Sequence, residues 1–160
     1  MRTPPRHPST PKATADRTLE SVAALVSRGL SGRPMVGISA YADGELTALD
    51  WSSPRAKLLE EAPMLCPLSP CRAAIRFDRT ILVADITLES RWVDYAFEVK
   101  PLGVRSMLCE PVRRAGTVIG VLTVYGEGCN GFGPADHDAF ESAVAQTADL
   151  LVAHRTRADR

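Results

Sequence analysis

Cysteine is the residue type in this chain that could carry covalent chemistry. A thiolate is a strong nucleophile, and a second thiol can resolve the sulfenic acid that a first one forms. The sequence has four cysteines, Cys66, Cys71, Cys109 and Cys129. Their spacing does not suit a metal site, because Cys66 and Cys71 have neither a second pair nor a histidine at zinc-finger spacing. We therefore expect no metal and no cofactor, and burial as small apolar groups is the simplest role for these thiols.

A second group of candidates suits binding rather than catalysis. Trp92 and Tyr95 lie in a segment that we expect to cover a pocket, where aromatic rings can stack on a ligand. Trp92 could equally pack as a lid on the core. Arg105 could meet an anionic group of a ligand, or it could form an ion pair with Asp85. Both alternatives stay open at this stage.

The run GEGCNG at 126–131 fits the GxGxxG pattern of dinucleotide-binding loops. It follows a predicted strand and precedes a predicted helix. A dinucleotide site also needs a parallel strand after that helix with an acidic residue on it. Here the preceding strand belongs to a predicted hairpin, and the helix is the last predicted element. We therefore interpret the run as a flexible loop.

Two amphipathic helices are predicted near the ends of the chain. Apolar residues at spacings of three and four predict a helix over 16–30, which Gly29 and Gly32 end. The second helix is predicted over 134–154, where Pro134 suits the first helical position. These helices are long enough to cover one face of a sheet.

The segments between these helices read mainly as β-hairpins. β-rich runs occur at 35–41, 46–51, 80–85, 104–112 and 117–125. The first two runs and the last two are each joined by a turn signal containing glycine, which predicts antiparallel pairing. Short helices are expected at 55–61, 71–77 and 93–101. The prolines of 62–70 predict irregular structure there.

Hairpins with helices at both ends of the chain predict an α+β fold with an antiparallel sheet. If the two end helices cover one face, residues 63–102 must cover the other and can leave a pocket against it. The residues that we expect to line this pocket are Cys71, Asp85, Trp92, Tyr95, Arg105 and Met107.

Composition excludes several classes of protein. Nineteen basic and nineteen acidic residues balance, so net charge gives no reason to expect direct nucleic-acid or membrane binding. No segment has the roughly 20 apolar residues that a membrane helix requires, and no secretory signal is recognisable, so we expect a cytoplasmic location. A basic, proline-rich tail over 1–14 is predicted to be disordered, followed by one domain over 15–155 and a frayed end over 156–160.

Several motifs occur in an order typical of one family. SSPRAKLLEEAP follows the second predicted strand, Ser69-Pro70-Cys71 follows that, and ESRW at 89–92 follows the strand at 80–85. LGVRSML occupies 102–108, and Phe132 precedes the last helix. Over residues 16–154 the chain resembles the GAF domain, specifically the actinobacterial type found beside RNA-binding ANTAR domains. It departs from that type at Ser69, where glycine is usual. No output domain is recognisable within these 160 residues, so we expect either a stand-alone sensor or a fragment of a longer protein.

The resemblance implies a GAF/PAS-like, six-stranded antiparallel sheet flanked by helices on both faces. It also implies a homodimer formed through the end helices. The function implied is a non-catalytic sensory role in signal transduction and transcription regulation, in which an unknown small molecule or a protein partner binds.

Two alternatives accompany this interpretation. Free methionine-(R)-sulfoxide reductases are stand-alone GAF proteins, and Cys71 could match one of their cysteines. The position of their catalytic cysteine is occupied here by Gly103 and Val104, so we do not expect an enzyme. The other alternative is a ligand-free scaffold whose pocket is filled by its own side chains, such as Met64, Leu65 and Met107.

Overall fold

An antiparallel sheet organises the chain. The structure is a computed structural model that describes residues 21–133 and 136–160. Its sheet has the strands β1 (Met35–Ala42), β2 (Glu45–Trp51), β3 (Ile81–Val83), β4 (Ser106–Arg114) and β5 (Thr117–Gly126). Their order is β2-β1-β5-β4-β3, and every neighbouring pair is antiparallel. The α+β fold with an antiparallel sheet is confirmed.

The expectation of six strands was wrong, because the described residues form a five-stranded sheet. The sixth strand came from the resemblance and not from a β-rich run of this sequence. Between β2 and β3 the chain forms two helices, α2 (Pro54–Leu65) and α3 (Pro70–Phe77). Prolines recur through this segment, and proline has no backbone N–H to donate to a strand ladder. The segment therefore covers the sheet instead of extending it.

The same segment corrects a second expectation, that residues 62–70 would be irregular. Helix α2 continues through Leu65 with Pro63 inside it. Leu59, Ala62 and Pro63 are buried there. Burial of this apolar face favours the helix despite the hydrogen bond that Pro63 cannot donate.

The two predicted hairpins are confirmed. Asp43 and Gly44 have positive φ angles of 53° and 79°, and Ala115 and Gly116 have φ angles of 50° and 79°. Two consecutive residues with positive φ make the type I′ turn that matches the twist of paired strands.

Three further α-helices, α1 (Val22–Gly29), α4 (Val93–Val99) and α5 (His137–Ala158), and two short 3-10 helices, Ile86–Leu88 and Lys100–Leu102, complete the described fold. Of the predicted 16–30 helix, residues 16–20 lie outside the described residues, as do the predicted tail over 1–14 and Pro134. Helix α5 continues to Ala158, past the predicted end of the domain. Among the residues that the structure describes, none of the helices is long and apolar enough to cross a membrane.

The sheet separates two buried layers. On one face α1 and α5 pack through residues such as Val26 and Leu151 against Leu122 and Val124 of β5. The opposite face of the same strand contributes Val121 and Tyr125 to a layer that also contains residues of α2, α3 and α4. Strand β5 therefore touches both layers, because successive side chains of a strand point to opposite faces.

Candidate functional site

The pocket predicted on the α2–α4 face is filled by the chain's own side chains. Cys71, Trp92, Tyr95 and Met107 belong to one buried cluster there, and Tyr95 and Met107 are completely buried. The Tyr95 hydroxyl donates a hydrogen bond to the Met107 Sδ at 3.4 Å. Four of the six predicted site residues therefore lie together. They pack together in the protein interior.

The other two, Asp85 and Arg105, lie apart from that cluster and bind each other. Arg105 Nη2 donates to Asp85 Oδ2 at 2.7 Å, and Thr87 donates to Asp85 through its backbone N and its hydroxyl. The hydrogen bond from Arg105 is the main cause that lowers the pKa of Asp85 to about 2. Of the two roles considered for Arg105, the structure contains the ion pair.

Glu60 is one residue that the sequence analysis missed. It lies on α2 and is 3% exposed. Its carboxyl accepts a hydrogen bond from Ser39 Oγ at 2.5 Å and a second one from the Tyr125 hydroxyl. Burial raises the pKa of Glu60 from 4.5 to about 7, against the opposing effect of these two bonds. Glu60 is spaced from Ala56 and Pro63 at intervals of four and three residues, so it lies on the buried face of α2. This spacing is the sequence pattern that could have predicted its burial.

The thiols on this face are protected. Cys71 Sγ lies 3.5 Å from Cys109 Sγ and 3.3 Å from Thr123 Oγ1. Burial raises the pKa of the Cys109 thiol well above its usual range, and burial with the charges of Glu98 and Asp94 raises that of Cys66. A protonated thiol is a poor nucleophile, so this arrangement does not favour catalysis by Cys109. In the described part of the chain, no group of three or more His, Cys, Asp or Glu side chains is placed to hold a metal ion.

Ser69, the departure from the family pattern, has a clear structural role. Its hydroxyl accepts a hydrogen bond from the backbone N of Arg72 at 3.2 Å and so caps α3. Serine is among the residues preferred at such a cap. The substitution thus preserves the start of α3 immediately before Cys71.

An open groove lies beside Trp92, between α3 and the turn before α4. Its volume is about 360 Å³. We call it the arginine groove because its lining includes Arg72, Arg76, Arg79 and Arg91, together with Phe77 and Trp92. Trp92 belongs both to its wall and to the buried cluster. Sequence reasoning anticipated Trp92 but not the arginines, because they lie on three separate segments and converge only after folding.

Comparisons with known proteins agree with this architecture. The family described as the GAF domain matches residues 12–152. Among curated proteins, none matches the sequence.

Solved structures show the same fold at low identity. A domain of a putative two-component sensor histidine kinase from Sinorhizobium meliloti matches with a TM-score of 0.67 and 10% identity, covering 96% of this chain and 98% of that one. The GAF domain of a two-component sensor histidine kinase from Bacillus halodurans matches with a TM-score of 0.59 and 13% identity, covering 79% and 85%. The free methionine-R-sulfoxide reductase from Neisseria meningitidis matches with a TM-score of 0.59 and 18% identity, covering 84% and 78%.

Proposed function

Because this chain belongs to the GAF domain family, we propose that it is a non-catalytic sensory domain that binds a small molecule or a protein partner. Binding on the α2–α4 face would shift the population of arrangements of α1 and α5 on the opposite face. Two structural matches that are domains of sensor histidine kinases support a signalling role.

One observation carries this proposal: the two buried layers share β5. Thr123 and Tyr125 contact the cluster on the α2–α4 face, whereas Leu122 and Val124 pack on the α1–α5 side. A displacement of this strand would therefore reach both layers, since packed interiors transmit strain rather than absorb it.

Hydrogen exchange tests the sensory function. The protein would be incubated with a low-molecular-weight extract of its own host, and exchange would be followed in peptides from α1 and α5. We expect the extract to change their protection. The same extract after removal of small molecules by desalting is the control. An extract that leaves α1 and α5 unchanged contradicts the function.

We propose in addition that the domain is a cytoplasmic homodimer formed through the end helices. Sedimentation of the full chain and of a chain lacking residues 1–30 tests this. A dimer that is lost on truncation supports the proposal, whereas a monomer in both forms contradicts it.

We further propose that the domain is of the actinobacterial type, which is associated with ANTAR partners and transcription regulation. This assignment rests on the order of the sequence motifs alone. Co-purification with a co-expressed ANTAR-domain protein tests that assignment.

A thiol enzyme is the alternative that a specific observation favours. The 3.5 Å contact between Cys71 and Cys109 would let one thiol resolve the other, and a sulfoxide reductase is among the structural matches. The raised pKa of Cys109 and its complete burial count against it. Turnover of free methionine sulfoxide with a thiol reductant, which a Cys71→Ser variant should abolish, tests this alternative.

The buried cluster of Cys71, Trp92, Tyr95 and Met107 favours a ligand-free scaffold, but two observations count against it. Of the side chains expected to fill its pocket, Met107 is buried, but Met64 is 41% exposed and Leu65 is 78% exposed. The arginine groove also leaves an open surface on this face.

A further inference from the structure

We propose that the arginine groove binds a small anion that carries a flat apolar ring, such as an aromatic phosphate or carboxylate. This inference rests on the proposed sensory function, since it names the class of ligand on the α2–α4 face. The groove has the size of small-ligand sites, which begin at roughly 300 Å³.

The charge of the groove selects an anion. Its described lining contains arginines but no acidic residue. Arg76 and Arg79 are exposed and, within the described residues, form no ion pair. The acid between them, Asp78, is bound instead to Arg113, with its Oδ1 2.5 Å from Arg113 Nε. Two guanidinium groups therefore face the groove region without a neutralising partner.

The other two arginines are already held in place. Arg72 Nε donates to the backbone oxygen of Pro63 at 3.2 Å, which leaves its Nη groups for other acceptors. Arg91 is held by two hydrogen bonds to Glu89, at 3.0 and 2.9 Å, and its guanidinium lies 4.2 Å from the centre of the Trp92 ring. Side chains that are fixed before binding lose little conformational entropy when a ligand arrives.

The walls of the groove favour a ring attached to the anion. Phe77 is 56% exposed, and Arg76 and Arg79 each lie 5.5 Å from the centre of its ring. Leu68 adds a second exposed apolar side chain, and Trp92 also lines the groove. Apolar walls with a few placed charged groups are the usual lining of small-molecule sites, so an anion with a flat apolar body fits better than a bare ion.

Two other depressions on the described surface lack this combination. A larger one, of about 550 Å³, includes Asp43, Glu45 and Asp159 together with Arg155, so its charges have both signs. A mainly apolar one beside α5 has a volume of about 200 Å³, which is below the usual range for ligand sites.

The test uses 1-naphthyl phosphate as the probe and its two fragments, inorganic phosphate and 1-naphthol, as comparisons. Binding is followed by the indole N–H signals of the two tryptophans in the NMR spectrum, which a Trp51→Phe variant assigns. We expect 1-naphthyl phosphate to shift the Trp92 signal and leave that of Trp51 in place. Its Kd should be about tenfold or more below that of either fragment, because it gains both the charged and the apolar contacts.

Substitution separates this site from adventitious binding. Replacing both Arg76 and Arg79 by alanine should raise the Kd for 1-naphthyl phosphate about tenfold or more. Arg114→Ala is the matched control, because Arg114 is an exposed arginine at the end of β4 and does not line the groove. The inference is overturned if the probe does not bind, if the double variant binds it equally well, or if Arg114→Ala weakens it as much.

A fractionated extract separates failure of the ligand class from failure of the sensory function. The hydrogen-exchange experiment is repeated after anionic compounds have been removed from the extract on an anion-exchange resin. Loss of the effect on α1 and α5 supports an anionic ligand. If the effect survives, the ligand class is wrong while the sensory function stands. If the complete extract has no effect, the sensory function fails, whatever the probe does.

Discussion

Gly37 on β1 makes room for the carboxyl group of Glu60 on α2, because a Cβ atom built at Gly37 would overlap that carboxyl. The buried acid is therefore accommodated by the absence of a side chain on the facing strand. Ser39, two residues further along β1, donates to the same carboxyl. One short stretch of β1 thus provides both the space and a hydrogen bond for Glu60.

Gly37→Ala should lower the free energy of unfolding by about 1–3 kcal/mol, as is usual when a well-packed interior is overfilled. Denaturant titration measures this change. Gly29→Ala is the control, because a Cβ there meets nothing within 4 Å and alanine favours a helix over glycine. Equal effects of the two substitutions would contradict the steric explanation.

Glu60 should make stability fall as pH rises between about 4.5 and 7. In this interval the folded protein keeps the proton that the unfolded chain has lost, so the stabilisation present below pH 4.5 disappears as pH rises through 7. The shift corresponds to at most about 3 kcal/mol. Denaturant titrations at several pH values measure it.

Glu60→Gln should flatten that dependence, because the amide keeps an acceptor oxygen, replaces the other oxygen with an NH2 donor group and does not titrate. Glu61→Gln, at the next and more exposed carboxyl, should leave it unchanged. The same slope in wild type and Glu60→Gln would show that another group is responsible.

The thiols should differ sharply in reactivity. Cys129 is exposed, whereas Cys66, Cys71 and Cys109 are buried. Under native conditions a chromogenic disulfide reagent should label Cys129 first, and the buried thiols should react only as the protein opens. Peptide mass spectrometry identifies the labelled sites. Rapid native labelling of Cys71 or Cys109 would instead favour the thiol enzyme.

Asp85 and Arg105 should be coupled energetically. In a double-mutant cycle with Asp85→Asn and Arg105→Ala, the loss of stability in the double variant should be smaller than the sum of the single losses. Because the pKa of Asp85 is lowered to about 2 from 3.8, its contribution is present above pH 3.8 and is lost as pH falls through 2. Additive effects at neutral pH would contradict an energetic role for this pair.

The prediction of the fold succeeded where the signal was local. Gly44 and Gly116 favour tight turns because glycine adopts positive φ angles readily, and both hairpins formed as expected. The helix predicted over 55–61 also formed, as the first part of α2. The sixth strand failed because it was carried over from the family pattern, and no β-rich run of this sequence corresponded to it.

The candidate site was harder to predict because it depends on contacts between distant segments. Cys71, Trp92, Tyr95 and Met107, which were expected to line a pocket, lie in one buried apolar cluster. Whether they would enclose a cavity or fill it depends on side-chain volumes and on helix positions, which periodicity does not encode.

By itself the sequence determined the order of the elements, the antiparallel pairing of the hairpins and the resemblance to a GAF domain, because these follow from residue preferences over a few neighbouring positions. Only the tertiary structure decided that Glu60 is a buried acid beneath Gly37 and that Arg76, Arg79 and Arg91 share one groove. Both depend on the packing of α2, α3 and the turn before α4 against the sheet. Long-range packing sets the burial and the neighbours of a charged group, and these in turn set its pKa and its possible ligands.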